Sequence, residues 1–294
     1  MGLEEKLAGW TGPSSSTEQD KQERTERMIR EAIKEHAAFD SCDLRIYAKG
    51  SYANNTNVKT DSDVDIAVQC RDVMYWDEAR PRIHTPSPYQ GIWTPAKLRS
   101  ELRNALLNKF PGQVDTSGST AFRIHSGSAR VDADVVPCFN YRYYFVGGGH
   151  RDGAKVFKKD GSNLINYPDQ QLTNGRDKNN RTSQYYKKTV RIMKRVENAM
   201  VHDGKHREVP SFFIECLVYH CPDDIFLRST WEGTVRGVIS HIFHGLEGAE
   251  PEDNSKRWLE VSGCKYLFQP GQAWTRADGW AFAKAAWNYL GLKS

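Results

Sequence analysis

The sequence predicts a mixed α/β (α+β) protein, with a mixed sheet in its first lobe and helices in its second. Short segments rich in β-branched and aromatic residues alternate with helical segments before residue 165. After it, apolar residues recur at helical intervals. We therefore predict one domain at 1–165 and another at 166–294. At 38% hydrophobic content, 294 residues can form a real core, and we expect a ligand to bind in a cleft between the lobes.

The first domain is expected to open with a long helix at 18–36, behind capping candidates at 14–17. A proline-rich stretch with exposed-looking aromatics, 75–93, is expected either to cover a site or to be disordered. A glycine run at 147–149, followed by polar residues, predicts a hairpin or loop. The other elements of this domain are strands at 43–47, 64–69, 122–124 and 130–136 and a helix at 95–109.

The second domain is predicted to be helical throughout. Its periodic or apolar segments are 184–201, 211–220, 230–243 and 277–290. Cys216, His220 and Cys221 lie in or beside the second of these. They lack a second pair of ligands at zinc-site spacing, so we interpret them as helix core and not as a zinc site. The six cysteines are too scattered for a disulfide framework and are expected to be mostly buried thiols in a reducing compartment.

Composition argues against several classes of function. The mean hydropathy is -0.69 and no apolar run approaches twenty residues, so the sequence predicts no membrane span. The first ten residues lack the layout of a signal peptide, and we expect a soluble cytoplasmic protein. The net charge of +4 is mild and does not indicate a dedicated nucleic-acid binder.

One local cluster of basic residues remains open to two interpretations. Five cations fall within nine residues, and four of them share one side of a predicted helix, namely Lys187, Arg191, Lys194 and Arg195. A solvated helix face would have this pattern. A clamp for a polyphosphate would have it as well.

The most informative segment joins a glycine–serine turn to an acidic pair. Gly50 and Ser51 offer backbone N–H groups and a hydroxyl that suit the phosphates of a nucleoside triphosphate. Asp63 and Asp65 are two residues apart on a predicted strand, so both carboxylates project from one face. Paired carboxylates suit Mg²⁺, which keeps waters and bridges to substrate phosphates.

A third acidic residue is expected on a neighbouring strand. The sequence offers both Asp132 and Asp134, and period-two alternation places them on the same face. The pattern alone cannot choose between them.

The turn and the acidic pair together resemble the signature of the polymerase-β-like nucleotidyltransferases. In those families the acid before a Val-Val-Pro sequence is catalytic, which selects Asp134 and keeps Asp132 in reserve. A finer similarity is to the cGAS/DncV-like nucleotidyltransferases of bacterial anti-phage signalling, especially their pyrimidine-using CdnE-type members. It rests on Gly-Ser-Tyr-Ala, Asp61-Ser62-Asp63-Val64-Asp65, Asp134-Val135-Val136-Pro137, Asn166-Tyr167-Pro168 and Ser211 to Leu217.

The resemblance implies a polymerase-β-like nucleotidyltransferase lobe and a C-terminal helical lobe that closes the nucleotide cleft. It implies that Asp63, Asp65 and Asp134 hold two Mg²⁺ ions, with Mn²⁺ as a possible substitute. Lys194 and Ser211 would hold the donor triphosphate from the helical lobe. Alternatively, Lys194 is an ordinary surface lysine and Ser211 an N-cap after Pro210, although Ser211 could both cap the helix and hold phosphate.

The resemblance also places Asn166 beside the nucleobase, and asparagine there resembles the members that accept uridine. Its amide can donate to a carbonyl oxygen and accept from an N–H, which suits uracil. Alternatively, Asn166 only initiates a turn before Tyr167-Pro168. A weaker similarity, Gln272-Ala273-Trp274, is to a motif of the pyrimidine-using members, although Trp274 could also be core.

The function implied is synthesis of a cyclic dinucleotide second messenger from UTP, with or without ATP, with release of pyrophosphate. The expected product is cyclic di-UMP or cyclic UMP-AMP. The implied partners are the nucleoside triphosphates and an effector protein that senses the product. We expect a monomer that needs neither a nucleic-acid activator nor a membrane. The alternatives are a nucleotidyltransferase that does not cyclise, such as an oligoadenylate synthase or a tailing enzyme, and an inactive binding protein.

Overall fold

The computed structural model describes residues 2–58, 63–79 and 89–292, which form two compact units. The sheet unit contains the described residues of Ser15–Tyr52 and Ser62–Pro168. The helical unit contains those of Met1–Ser14, Ala53–Asp61 and Asp169–Ser294. A single cut at residue 165 would assign the first fourteen residues and the segment after Ala53 to the first domain, whereas the structure packs both with the helices.

The sheet unit is built on one mixed sheet. Its strand order is β1-β2-β5-β4-β3, with β6 beside the second half of β5 and β7 beside β6. Strands β2 and β5 run parallel, and every other pairing among the described strands is antiparallel. The strands are β1 (Leu44–Lys49), β2 (Val64–Glu78), β3 (Val114–Asp115), β4 (Phe122–Ile124), β5 (Ala133–Tyr144), β6 (His150–Phe157) and β7 (Asn163–Asn166).

Two helices and the sheet enclose the main core of this unit. These helices are α2 (Ser16–Lys34), which is capped by Ser15, and α4 (Pro95–Lys109), which is capped by Thr94. They bury apolar side chains such as Ile29 and Leu102 against alternate residues of β2 and β5. Because burial on this face takes every second strand residue, the intervening residues lie on the opposite face.

The predicted elements agree with the structure except at strand ends. The helix at 95–109 and the strand at 122–124 are confirmed at both ends, and the opening helix begins two residues earlier than predicted. The second strand was predicted to end at residue 69 but continues to Glu78, with a register shift between Cys70 and Met74 that leaves the intervening residues unpaired with β5. The predicted hairpin after Tyr144 is β5–β6. Residues 80–88 of the predicted insertion lie outside the described residues.

The helical unit packs around a single apolar core. Its four predicted helices are confirmed within two residues at each end, and two further helices were not predicted. None of the helices in the described ranges is long and apolar enough to cross a membrane. The helices are α1 (Leu3–Gly9), α5 (Pro168–Arg181), α6 (Tyr185–His202), α7 (Ser211–Tyr219), α8 (Trp231–Gly245) and α9 (Arg276–Tyr289), and a short helix, α3 (Gly50–Ala53), follows β1.

The basic side of α6 explains why the N-terminal segment belongs to the helical unit. The Arg191 side chain is 5% exposed and donates hydrogen bonds to the carbonyls of Thr11 and Asn55, at 2.7 and 2.6 Å. Arg195 donates to the carbonyls of Trp10 and Gly12. Burial, helped by the charge of Arg195, lowers the pKa of Arg191 to about 10. These two arginines therefore bind backbone carbonyls of residues 10–12 and 55. They are neither a solvated helix face nor a polyphosphate clamp.

The interpretation of Cys216, His220 and Cys221 as helix core is confirmed. Both cysteines are buried. The His220 ring donates to the Leu259 carbonyl at 2.7 Å, and burial lowers its pKa to about 4. The imidazole is therefore neutral at pH 7 and already has a hydrogen-bond partner.

Candidate active site

Four charged side chains lie in one row across the sheet. The strand register pairs Lys49 of β1 with Asp65 of β2, Asp65 with Asp134 of β5, and Asp134 with Arg123 of β4. Residues paired in register project from the same face of a sheet. The row therefore presents two carboxylates side by side with one cation at each end, and the Lys49 ammonium lies 3.3 Å from the Asp65 carboxylate.

Gly50 lies directly against this row. Its φ of +67° is in the left-handed region, where only glycine is unstrained. A β-carbon at this position would lie 2.3 Å from Oδ2 of Asp65, well inside contact distance. The turn from β1 into α3 thus requires glycine for two reasons, and it brings the Gly50–Ser51 backbone to the acidic pair.

Asp63 and Asp132 share one cation. The Arg123 Nη2 atom lies 2.9 Å from a carboxylate oxygen of each. Asp132 also accepts a hydrogen bond from the backbone N–H of Ser126. Burial alone would raise the pKa of Asp132, but the hydrogen bonds from Arg123 and Ser126 outweigh burial and lower it. The charge of Asp132 is therefore already compensated by the protein.

Asp134 is in the opposite situation. Its pKa is raised, first by burial and then by the neighbouring charge of Asp65, with a smaller contribution from Asp63. Repulsion between carboxylates in a half-buried position is the condition that a bound cation relieves. The two candidates for the third acid thus differ in their electrostatic surroundings, a difference that the sequence pattern does not reveal.

The donor set suits a hard divalent ion. Asp65 and Asp134 offer carboxylate oxygens on two adjacent parallel strands, Asp63 offers another directly before β2, and oxygen is the ligand that Mg²⁺ prefers. The oxygen atoms of these three aspartates are spread over more than 4.8 Å. Among the described residues, only Cys42, Cys70 and Asp72 bring three metal-ligand atoms within that distance of one another. The contact between Asp63 and Arg123 accounts for part of this spread.

Two predicted triphosphate-binding residues belong to the helical unit. Lys194 of α6 is 1% exposed, so the alternative that it is a surface lysine is wrong. Ser211 is the first residue of α7, and the N-cap is Pro210. The alternative that Ser211 caps this helix is therefore also wrong, and its half-buried hydroxyl has no capping role.

Asn166 is the last residue of β7 and pairs with Ala154 of β6. One residue separates it from α5, so it does not initiate a turn. Its carbonyl oxygen lies only 2.7 Å from the position that a β-carbon of Gly153 would occupy. The backbones of β6 and β7 are therefore in close contact here. The asparagine side chain therefore starts from a well-defined strand position.

The motif near the C-terminus has structural partners. Gln272 donates to Glu260 at 2.8 Å, and the Trp274 indole donates to the Leu267 carbonyl at 2.9 Å. The Trp274 ring stacks on Phe213 with centroids 5.2 Å apart. Trp274 is thus core, and this motif carries no further argument about the base.

Sequence patterns assign no role to two residues of the site, Lys49 and Arg123. Lys49 stands out in the sequence only as the neighbour of Gly50. Arg123 alternates with buried Phe122 and Ile124 in β4, which is a signal that it faces the opposite side of the sheet. Its partners could not be inferred without the register of β4 against β5.

Known proteins resemble this chain over nearly its whole length. Residues 173–291 match the cGAS/DncV-like nucleotidyltransferase C-terminal helical domain, and residues 26–80 match the nucleotidyltransferase domain. A cyclic dipyrimidine nucleotide synthase CdnE of Legionella pneumophila is 33% identical over 98% of this chain and 97% of its own. A cyclic dipurine nucleotide synthase of Elizabethkingia meningoseptica is also 33% identical, over 99% of both chains.

A solved structure agrees with the same assignment. The Rhodothermus marinus CdnE c-UMP-AMP synthase, solved with Apcpp and Upnpp, has a TM-score of 0.82 at 25% identity and covers 99% of this chain and 97% of its own. Domain matches, relatives and fold agree. The chain belongs to the cGAS/DncV-like nucleotidyltransferase family, among its CdnE cyclic dinucleotide synthases.

Proposed function

We propose that this protein joins two nucleoside triphosphates into a uridine-containing cyclic dinucleotide, either cyclic di-UMP or cyclic UMP-AMP, and releases pyrophosphate. The observation that carries the proposal is the placement of Asp65 beside Asp134 on parallel strands, with Gly50 against Asp65. This is a site for a cation and a polyphosphate. The resemblance to anti-phage synthases supports the proposal that an effector protein senses the cyclic dinucleotide. It also supports a monomeric cytoplasmic enzyme that needs no nucleic-acid activator.

Asp63, Asp65 and Asp134 are proposed to hold two Mg²⁺ ions, or Mn²⁺ in their place. When bound, such ions lower the pKa of the attacking ribose hydroxyl and stabilise charge at the α-phosphate. The protein provides orientation. Lys49 contacts one side of Asp65, and Arg123 contacts both Asp63 and Asp132. No side-chain nucleophile is required.

The donor triphosphate is proposed to bind the backbone N–H groups of Gly50 and Ser51, with Lys194 and Ser211 as further contacts. The left-handed turn at Gly50 brings main chain close to the carboxylates without a side chain in between. A buried ammonium on α6 provides a fixed point charge for a phosphate oxygen.

Product analysis tests the proposed function. The purified chain is incubated with four labelled nucleoside triphosphates and Mg²⁺, and the products are treated with phosphatase and identified by mass spectrometry. A phosphatase-resistant cyclic dinucleotide is expected. Linear, phosphatase-sensitive oligonucleotides would instead establish the non-cyclising alternative, and the absence of any product would contradict both.

The choice of base rests on Asn166, because overall similarity does not decide it: relatives of equal identity include a dipyrimidine and a dipurine synthase. Asn166→Ser replaces an amide that both donates and accepts with a smaller hydroxyl. We expect incorporation to shift from uridine toward adenosine by about 10-fold or more, since each unpaired polar group costs roughly 1–3 kcal/mol. Competition between equal UTP and ATP measures the shift.

The same competition can contradict this assignment. A wild-type enzyme that takes only purines would refute uridine use. An unchanged ratio in Asn166→Ser would remove Asn166 from base selection. Asn163→Ser, at the exposed start of the same strand, is the matched control and should leave the ratio unchanged.

Lys194 is tested by Lys194→Met, which keeps the buried aliphatic stem and removes the charge. We expect the apparent KM for the triphosphate to rise by about 10-fold with a smaller change in kcat, as for a contact made equally in ground and transition states. Lys188→Met is the control, because Lys188 lies on the same helix but is only half-buried and over the Tyr185 ring. An unchanged KM in Lys194→Met would assign Lys194 a purely structural role.

A further inference from the structure

A second cluster of ligand-type side chains lies on the same sheet, five residues beyond Asp65. Cys42, just before β1, and Cys70 of β2 have their sulfur atoms 3.6 Å apart. The carboxylate of Asp72 completes a group in which all three ligand atoms lie within 4.8 Å of one another. This group shares no residue with the proposed catalytic site.

The bulge in β2 creates this arrangement. Between Cys70 and Met74 the strand loops out, and the Arg71 backbone is fixed on both sides, by a hydrogen bond to the Asp43 carbonyl at 2.7 Å and by one from Asn140 at 3.1 Å. The turn brings the side chain of Asp72 back toward Cys42. It also directs the backbone N–H groups of Asp72 and Val73 to the Cys70 sulfur.

The surroundings of the cluster affect its two thiols differently. The pKa of the Cys70 thiol is lowered, chiefly by a hydrogen bond from Cys42 and also by the N–H groups of Asp72 and Val73. The Cys42 thiol is the proton donor of the pair, and its pKa is raised by that hydrogen bond and by burial. A bound cation would displace the thiol protons of Cys42 and Cys70, release them to solvent and take two thiolates.

The distances match a tetrahedral thiophilic ion. Two thiolates on one Zn²⁺, each about 2.3 Å from the metal, stand about 3.8 Å apart, close to the spacing found here. The Asp72 carboxylate is held in place by the Asp43 N–H, which donates to its Oδ2 atom at 3.0 Å. Cys70 is buried, Cys42 is half-buried and Asp72 is exposed, so the ion has an entry path from solvent.

We propose that Cys42, Cys70 and Asp72 form a binding site for a thiophilic divalent cation of the zinc class, with water as the fourth ligand. The ion would fix the start of β1 to the bulge of β2. This site is separate in residues and in chemistry from the oxygen-only catalytic set, so the proposal stands whether or not the proposed function is correct.

The test is titration of the reduced, metal-free full chain with Cd²⁺ alone. Binding is measured as the ultraviolet absorption band of thiolate-to-Cd²⁺ charge transfer. We expect a band that saturates at one ion per chain and a rise in melting temperature. Mutating a residue that only supports a metal ligand lowers metal affinity by about 10–100-fold. Loss of a direct ligand in Cys42→Ser or Asp72→Asn should therefore weaken Cd²⁺ binding by at least about 100-fold. Cys264→Ser and Asp134→Asn, which lie outside the cluster, should titrate like the wild type.

Three outcomes would overturn the proposal. The first is the absence of the charge-transfer band when the wild-type chain is mixed with an equimolar amount of Cd²⁺. Another is a band of full height in Cys42→Ser, which would place the thiolate ligands elsewhere. The third is a chain that loses two hydrogens on exposure to oxidised glutathione, through a Cys42–Cys70 disulfide, but never binds Cd²⁺ when reduced.

Discussion

Asp134→Asn is expected to lower turnover by at least about 1,000-fold, because a lost metal ligand removes several kcal/mol of transition-state stabilisation. Asp132→Asn is expected to keep turnover of the same order as the wild type. Arg123 and the Ser126 N–H donate to different oxygens of Asp132, so the single amide oxygen keeps one of these two hydrogen bonds, and in our assignment the charge of Asp132 is not needed for the metal. Steady-state rates at saturating Mg²⁺ and nucleotide compare the two variants directly.

The same pair of variants should change stability in opposite directions. The pKa of Asp134 is raised in the folded protein, so its ionisation destabilises the fold increasingly as pH rises through its folded pKa. The pKa of Asp132 is lowered, so its ionisation adds stability that is lost as pH falls through its folded pKa. At pH 7 in EDTA, Asp134→Asn should raise the melting temperature and Asp132→Asn should lower it.

These variants also decide which acid is the third ligand. If Asp132→Asn lost turnover while Asp134→Asn kept it, the assignment would be reversed. Equal losses in both would mean that Asp132 contributes as well. Unfolding scans in the absence of metal separate either result from simple misfolding.

Gly50→Ala adds only one methyl group but should lower turnover strongly. A left-handed alanine costs about 1–2 kcal/mol in backbone strain alone. The added methyl would lie 2.3 Å from the Asp65 carboxylate and force it to move. A displacement of about 1 Å at a catalytic group can cost 100-fold in rate, so we expect a turnover loss of that order.

Gly112→Ala is the matched control. Gly112 has a φ of +71°, nearly that of Gly50, but a β-carbon there would meet nothing within 4 Å. Gly112→Ala should therefore lower the free energy of unfolding through backbone strain and keep normal turnover. If the two variants had equal activity, the contact between Gly50 and Asp65 would have no catalytic importance.

Local features of the sequence predicted much of the fold. The helix at 95–109 begins with Thr94-Pro95, a threonine cap followed by a proline, and its ends are recognisable from these residues alone. Strand ends were less predictable. The strand predicted at 64–69 stops before Arg71 and Asp72, but hydrogen bonds from other parts of the chain hold these two residues in a bulge, and pairing with β5 resumes at Met74.

The candidate site was only partly predictable, for a related reason. Asp63 and Asp65 are close in sequence, so period-two geometry was enough to predict that they project together. The choice between Asp132 and Asp134 depends on Arg123, which lies on another strand. The assignment of residues 1–14 to the helical unit depends on hydrogen bonds from Arg191, 180 residues distant from Thr11. Pairings at such separations leave no local pattern in a single sequence.

The row of charges from Lys49 to Arg123 has a consequence for how this enzyme can evolve. Each member is positioned by strand register, and a shift of one residue turns a strand side chain to the opposite face. A single-residue insertion within β1, β4 or the first half of β2 or β5 would therefore remove a charge from the row even if the sheet still formed. Length variation in active homologues should accumulate between these strands and be excluded within them.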